Sequence, residues 1–369
     1  MPGTSAADDG FGSALAVGDL TGDGRDVLAV GAPFKKIGGQ ELAGAVLVLP
    51  GSAAGLSGSG STRIDQDQTW IPGGAEAQDQ FGFALAVGKV DKDRYADLAI
   101  SAIGENANVY PGDGAITLVR GAAAGVQHSG ATVVTGRNAA LALHRDGLIL
   151  NSLRFSLAIG DTNRDGYGEV LTGVPGAQVS DHYSTGGVVS FAGRANGLST
   201  TGIRLLSQNT AGVAGANEDG DRFGADVAAA DVTGDGRADL LVGVPGENVG
   251  SNADAGTAVL LRGSSSGLAG SGSQVWSQDS RAVPGAAEKG DRFGSEVTLL
   301  NLDGRGGRDA VVAAPDEKVG GYPSAAAAGM LVTFTASSTG LAPKAGWTGQ
   351  NQRYTDFYFD GYGRVLTGG

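Results

Sequence analysis

Apolar or alternating runs of four to eight residues, such as GAVLVLPG (44–51) and GTAVLLRG (256–263), recur between turns rich in Gly, Asp and Ser. Runs of that length, bounded in that way, read as β-strands and not as helices. The order of the runs repeats. Phe-Gly pairs stand at Phe11-Gly12, Phe81-Gly82, Phe223-Gly224 and Phe293-Gly294, with Phe155-Ser156 read as a degraded copy, at intervals of 70, 74, 68 and 70 residues. Fixed-period self-similarity marks solenoids and propellers.

Residues 215–268 show the parts in order: GANEDGDRFG, then ADVAAADVTGDGRADLLVGVPGE, then GTAVLLRGSSSGL. After each Phe-Gly come a short strand, an Asp-rich turn, a second strand ending in Gly-Ala-Pro or a relative (31–33, 173–175, 243–245, 313–315), and a third strand. A five-residue turn opened and closed by Gly leads to a weaker fourth strand, marked by Gln66, Gln208, Gln278 and Gln350. Four strands per repeat of about 70 residues is the blade of an all-β propeller of four-stranded antiparallel blades. Residues 1–369 read as a single β-propeller domain, with repeats at 4–72, 73–146, 147–214, 215–284 and 285–346 and a partial sixth at 347–369. The tail DGYGRVLTG (360–368) nearly copies DGYGEVLTG (165–173) but has lost its Phe-Gly strand, so the expected blade number spans five to seven.

Phe-Gly, the Asp-rich loop and Gly-Ala-Pro, recurring in one order over roughly 4–346, resemble the FG-GAP repeats of the integrin α N-terminal β-propeller. The resemblance implies structural calcium in strand-to-strand hairpins on one rim, and seven blades in the integrin case. Much of the integrin ligand chemistry comes from an inserted domain or partner subunit, and this chain has no insertion of that size.

Calcium takes six to eight oxygen ligands, and a loop with oxygens at alternate positions and Gly at the sixth can wrap it. Repeat four fits fully: Asp231, Thr233, Asp235, Gly236 and Asp239, with the carbonyl of Arg237 as main-chain ligand. Repeat three fits with Asp161, Asn163, Asp165, Gly166 and Glu169 and the carbonyl of Tyr167. Repeat one offers Asp19, Thr21 and Asp23, but its last acid, Asp26, comes one place early. Repeat two has Lys89 in the first position, expected to form a salt bridge, and repeat five has Arg305 in the fifth; both are expected to bind calcium weakly or not at all. The competing reading is an acidic Asx turn, since Asp-Gly also punctuates hairpins. Acids crowded into nine residues repel one another unless a cation or hydrogen bonds compensate, which favours calcium.

Composition narrows the function. Gly supplies 66 of 369 residues without a Gly-X-Y period, so frequent tight turns explain it. With 26 Lys+Arg against 39 Asp+Glu, the net charge of -13 argues against nucleic acid and anionic membranes as partners. No Cys is present, which excludes disulfides and thiol chemistry. No stretch approaches 18 apolar residues, so no membrane insertion is expected, and MPGTSAADDG is not a signal peptide. The chain enters a repeat almost at once, which suggests an N-terminal cut, and a removed export signal would leave no trace here.

The G-x-S-x-G at 263–267 has Ala-rich equivalents at 51–55 and 121–125, so Ser265 reads as a turn residue and not as a nucleophile. His128, His144 and His182 share no ligand spacing. Trp70, Trp276 and Trp347, and the phenylalanines of the Phe-Gly pairs, read as interblade packing. Three function classes remain. The first is a secreted or cell-surface, non-catalytic, calcium-stabilised module recognising a protein or glycan ligand, as a monomer or part of a larger protein. The second is a hydrolase or lyase with its site in the propeller funnel or in another domain. The third is a structural scaffold subunit.

Overall fold

The computed structural model describes residues 6, 8–105, 114–143, 156–179, 182–318 and 329–348. Five four-stranded antiparallel sheets follow the chain, and each takes its strands in sequence order. The first strands of the five blades are Leu15–Gly18, Phe81–Gly88, Leu157–Gly160, Val227–Ala230 and Val297–Leu300, and together they line an axial cavity of about 270 Å³. The second strands are Val27–Ala32, Asp97–Ala102, Glu169–Gly173, Asp239–Val244 and Asp309–Ala314, almost wholly buried because both faces of each blade are covered. The third strands start at Ala45, Ala115, Val188, Thr257 and Met330, and the fourth end at Ile64, Thr135, Leu206, Trp276 and Thr348. The sequence-predicted markers Gln66, Gln208 and Gln278 fall just beyond the fourth strands, and Gln350 lies outside the described residues. One seven-residue helix, Gly136–Ala142, follows the fourth strand of blade two, where only strands were expected.

Apolar cores sit between successive blades: one/two around Phe81 and Leu98, two/three around Phe191 and Ile116, three/four around Phe223 and Leu240, and four/five around Phe293 and Phe334. Among the described residues no such core joins blade five to blade one. Leu85, Leu157, Val227 and Val297 pack towards the preceding blade, but their counterpart Leu15 is 40% exposed. On the far side of blade five, Leu302 and Trp347 are exposed beside a groove that includes Val311 and Leu331.

The two signature motifs meet across blade junctions. The glycine of Gly-Ala-Pro in one blade abuts the backbone carbonyl of the Phe-Gly glycine in the next: Gly31 on Gly82, Gly173 on Gly224 and Gly243 on Gly294. Gly82, Gly224 and Gly294 have φ of 90°, 83° and 89°, a region closed to most side chains. Each buried phenylalanine donates its amide into the preceding blade, Phe81 to Ala43, Phe223 to Thr185 and Phe293 to Ala255. Phe11 departs from the expected core role. It is 58% exposed, with no preceding blade described against it.

Strand register also corrects the third copy of the motif. Leu157 pairs with Thr172 and Gly160 with Glu169, as Leu15 pairs with Val30 and Gly18 with Val27. Phe11 precedes Leu15 by four positions, so the matching pair is Leu153-Arg154, and Phe155-Ser156 is two places late. Leu153, Arg154 and Phe155 lie outside the described residues.

Candidate metal centre

The five Asp-rich turns, 19–26, 89–96, 161–168, 231–238 and 301–308, join first to second strands and are all eight residues long. In each sheet these turns leave from one end of the meander, so they share a rim. The rim is laced together. The Ala96 amide donates to the Asp19 carbonyl and the Ala238 amide to the Asp161 carbonyl. Arg164 donates through Nη1 to the Asp235 carbonyl at 3.1 Å, and Lys92 Nζ stands 3.9 Å from the centre of the Tyr167 ring.

Within each loop the first aspartate gathers amides. Asp231 accepts from Gly234, Asp235 and Gly236 at 2.7, 3.1 and 2.8 Å. Asp161 accepts from Asp165 and Gly166, and Asp19 from Gly22, Asp23 and Gly24. This wrapping needs a positive φ at the sixth position, found at Gly24 (80°), Gly166 (86°) and Gly236 (84°). Thr21 Oγ1 lies 3.1 Å from Asp19 Oδ1 and 2.9 Å from Asp23 Oδ1, so three side-chain oxygens converge in repeat one. For Asp19, desolvation works upward, but the Gly24, Thr21, Gly22 and Asp23 hydrogen bonds outweigh it and hold the carboxyl below its usual range. Asp23 is lowered by Thr21 and then by the Arg25 amide. In repeat three the Asp165 amide donates to Asn163 Oδ1 at 2.7 Å and the Tyr167 amide to Asp165 Oδ1 at 2.8 Å. In repeat four the Arg237 amide donates to Asp235 Oδ1 at 2.9 Å, its Nη1 reaches Asp235 Oδ2 at 3.3 Å, and Thr233 stands half-buried in the third position.

The ninth acid is buried and accepts backbone amides. Asp239, 1% exposed, accepts the Val232 amide at 3.2 Å and the Gly263 amide at 2.9 Å. Glu169 Oε2 accepts from the Thr162 amide at 2.9 Å and from Thr162 Oγ1 at 2.5 Å, while Asn163 Nδ2 donates to its Oε1 at 3.3 Å. Asp97 and Asp309 make the same bonds, to Val90 and Gly121 and to Leu302 and Ala336, in the two repeats expected to bind calcium poorly. Burial raises Asp97 to about 7 and also raises Glu169 and Asp239. These bonds give the ninth acid a fold-building role in repeats two to five, beside its expected place as a ligand in repeats three and four. Among the described residues no group of three His, Cys, Asp or Glu side chains converges to hold an ion. Positions one, three and five, the carbonyl of the seventh and the acid of the ninth offer oxygen ligands, and that set fits calcium in chemistry.

Among the described residues Lys89 does not form the expected salt bridge: it is exposed, and Asp91 is instead 3.6 Å from Arg120. Arg305 pairs with Asp303 at 3.7 Å, so a side-chain cation stands in that loop. Ser265 is an exposed turn residue. His182 pairs with Asp219 at 3.3 Å, His128 stacks on Trp70 at 4.8 Å, and His144 lies outside the described residues. Trp276 packs on Phe334 as expected for interblade packing, whereas Trp347 is 45% exposed.

On the opposite rim lies a set of acids that sequence reasoning missed. Desolvation raises Asp79 and Glu247 to about 7, and Asp221 and Asp291 to about 6. The signal was legible in part, because each is a fixed distance from a Phe-Gly or Gly-Ala-Pro motif. Among the described residues no helix is long and apolar enough to cross a membrane.

Residues 11–49 and 223–261 match the FG-GAP repeat family. The chain is 30% identical to integrin alpha-7 of Homo sapiens over 167 residues, 44% of this chain and 12% of that protein. It is 33% identical to integrin alpha-3 of Cricetulus griseus over 93 residues, 25% of this chain and 8% of that protein. This chain thus spans a small part of the length of these relatives. Among solved structures, the exotype rhamnogalacturonan lyase YesX aligns with a TM-score of 0.40 and 15% identity, over 89% of this chain and 48% of that one. The motifs, the blades they build and the sequence matches agree: the chain carries FG-GAP repeats and resembles the integrin α β-propeller.

Proposed function

We propose that this chain is a non-catalytic, calcium-binding recognition and adhesion module, displayed outside the cell, that binds a protein or glycan ligand. The carrying observation is the difference between its rims. The Asp-rich turns are uniform, while the connections from second to third strands on the other rim run 12 to 15 residues and vary in sequence. Variable loops on a rigid scaffold are where binding resides. Tyr183 on that rim is 69% exposed, as expected of a contact residue and not of a core one. In the axial cavity, the Asp226 carboxylate accepts the Val227 amide at 2.9 Å and the Val297 amide at 2.7 Å, which supports a structural role for it over a catalytic one.

The test is a glycan and extracellular-matrix protein array probed with the chain in calcium, then with Tyr183→Ala. The expected result is a defined ligand whose binding weakens at least tenfold in the variant. Turnover of an arrayed glycan would overturn the non-catalytic reading.

A further inference from the structure

The residue two places before each Phe-Gly is an aspartate: Asp9, Asp79, Asp221 and Asp291. All four are held alike. Their Oδ2 atoms accept the amides of Ala6, Glu76, Glu218 and Glu288 at 2.9, 2.6, 2.5 and 2.6 Å. Opposite each stands the fifth residue of the extended Gly-Ala-Pro motif: Lys35, Glu105, Glu247 and Glu317. These too are held alike, since their carbonyls accept the amides of Gly44, Gly114, Gly256 and Gly329. Four copies of one backbone frame therefore carry two different charges.

In the first copy the frame brings a cation to the aspartate: Lys35 Nζ lies 2.8 Å from Asp9 Oδ2. In the other three, Glu replaces Lys, and two carboxylates share the position. Each Glu is pinned by a glutamine from the preceding blade, Gln66 Nε2 to Glu105 at 2.6 Å, Gln278 Nε2 to Glu317 at 2.5 Å, and likewise Gln208 to Glu247. That bond uses the donor end of the amide. Six oxygens remain buried with no hydrogen-bond partner: Oδ1 of Asp79, Asp221 and Asp291, and Oε1 of Gln66, Gln208 and Gln278. The three aspartates are 0% exposed and the glutamines 4, 3 and 2%. The same omission, three times over, points to a missing common partner. Oxygens with no donor among them are satisfied by a cation, and carboxylates plus an amide oxygen are a hard-cation set. The two/three junction has Ala177 at the Glu position and no such cluster.

We propose that the junctions of blades one/two, three/four and four/five each bind a calcium ion through Asp79, Glu105 and Gln66, through Asp221, Glu247 and Gln208, and through Asp291, Glu317 and Gln278. These sites lie on the rim opposite the Asp-rich turns, at the base of the long connections, and Lys35 is the built-in replacement for the ion in the first copy.

The experiment is equilibrium dialysis with radioactive calcium on the full chain carrying Asp23→Asn, Asp165→Asn and Asp235→Asn, which disables the hairpin loops. At about 1 mM free calcium, the range that fills extracellular modules, this chain should retain three ions per molecule, one for each Gln–Glu pair. Glu105→Lys, Glu247→Lys and Glu317→Lys, made singly and checked for native circular dichroism, should each remove one ion. Retained calcium that none of the three lysines displaces overturns the proposal. So does zero calcium in the loop-disabled chain when the unaltered chain binds it, and that result leaves the hairpin-loop assignment standing.

Discussion

The backbone carbonyl of Gly294 fills the space that a Cβ on Gly243 would need, so Gly-Ala-Pro of blade four and Phe-Gly of blade five are two halves of one contact. The same contact explains an irregularity in the sequence. Where the following repeat lacks Phe-Gly, the preceding motif also lacks its glycine: Ser101 stands before repeat three and Ala313 before the partial sixth. Gly243→Ala and Gly173→Ala should each destabilise the fold by about 1–3 kcal/mol through overpacking. Ser101→Gly should not relieve any such clash, and urea unfolding of the three variants compares them directly.

Phe223→Ala and Phe293→Ala remove fully buried rings from interblade cores and should cost about 3–5 kcal/mol each. Phe11→Ala, at an exposed ring, should change stability by less than about 0.5 kcal/mol. A large loss at Phe11 would mean that a further blade covers it in solution.

Calcium held only by the folded chain must raise its stability by mass action. Thermal unfolding in calcium should therefore exceed that in chelator, and the hairpin share of the rise should vanish in the triple variant Asp23→Ala, Asp165→Ala and Asp235→Ala. An unmoved wild-type transition would refute the metal assignment.

Asp309→Ala removes the acceptor of the Leu302 and Ala336 amides. Loss of a buried acceptor costs about 1–3 kcal/mol for each donor stranded. The loss should be the same in calcium and in chelator, because repeat five, with Arg305 paired to Asp303 in its loop, is not expected to hold calcium. A loss seen only with calcium would show that repeat five holds an ion, against that expectation.

Several buried acids hold protons more tightly in the folded chain than in the unfolded one, with Asp79 and Asp97 raised to about 7 and Asp221 and Asp291 to about 6, chiefly by desolvation. Between roughly pH 4 and 7 the folded state therefore binds more protons, and unfolding free energy falls as pH rises. In chelator, the melting temperature should be higher near pH 5 than near pH 7.5, with the difference narrowed by calcium. A chelated chain that is equally stable at both values would contradict the burial of these groups.

The strands, their order, the eight-residue turns and the oxygens of loop positions one, three and five were legible in the sequence. All of them rest on chemistry within a few residues: alternation sets a strand, and Asp followed by Gly sets a turn that gathers its own amides. The degraded third motif was misplaced because Phe155 offered the right residue type, and only the pairing of Leu157 with Thr172 fixed the register. Tertiary structure alone decided that Asp239 turns inward, that Phe11 stays exposed, that Lys35 meets Asp9 across 26 positions and that Gln66 meets Glu105 across 39. The Gln66–Glu105 contact and the exposure of Phe11 depend on how one blade sits against the next, and the other two depend on how distant segments of one blade pack together. A repeat specifies its own blade through local spacing, whereas contacts between blades are set by packing that no single repeat encodes.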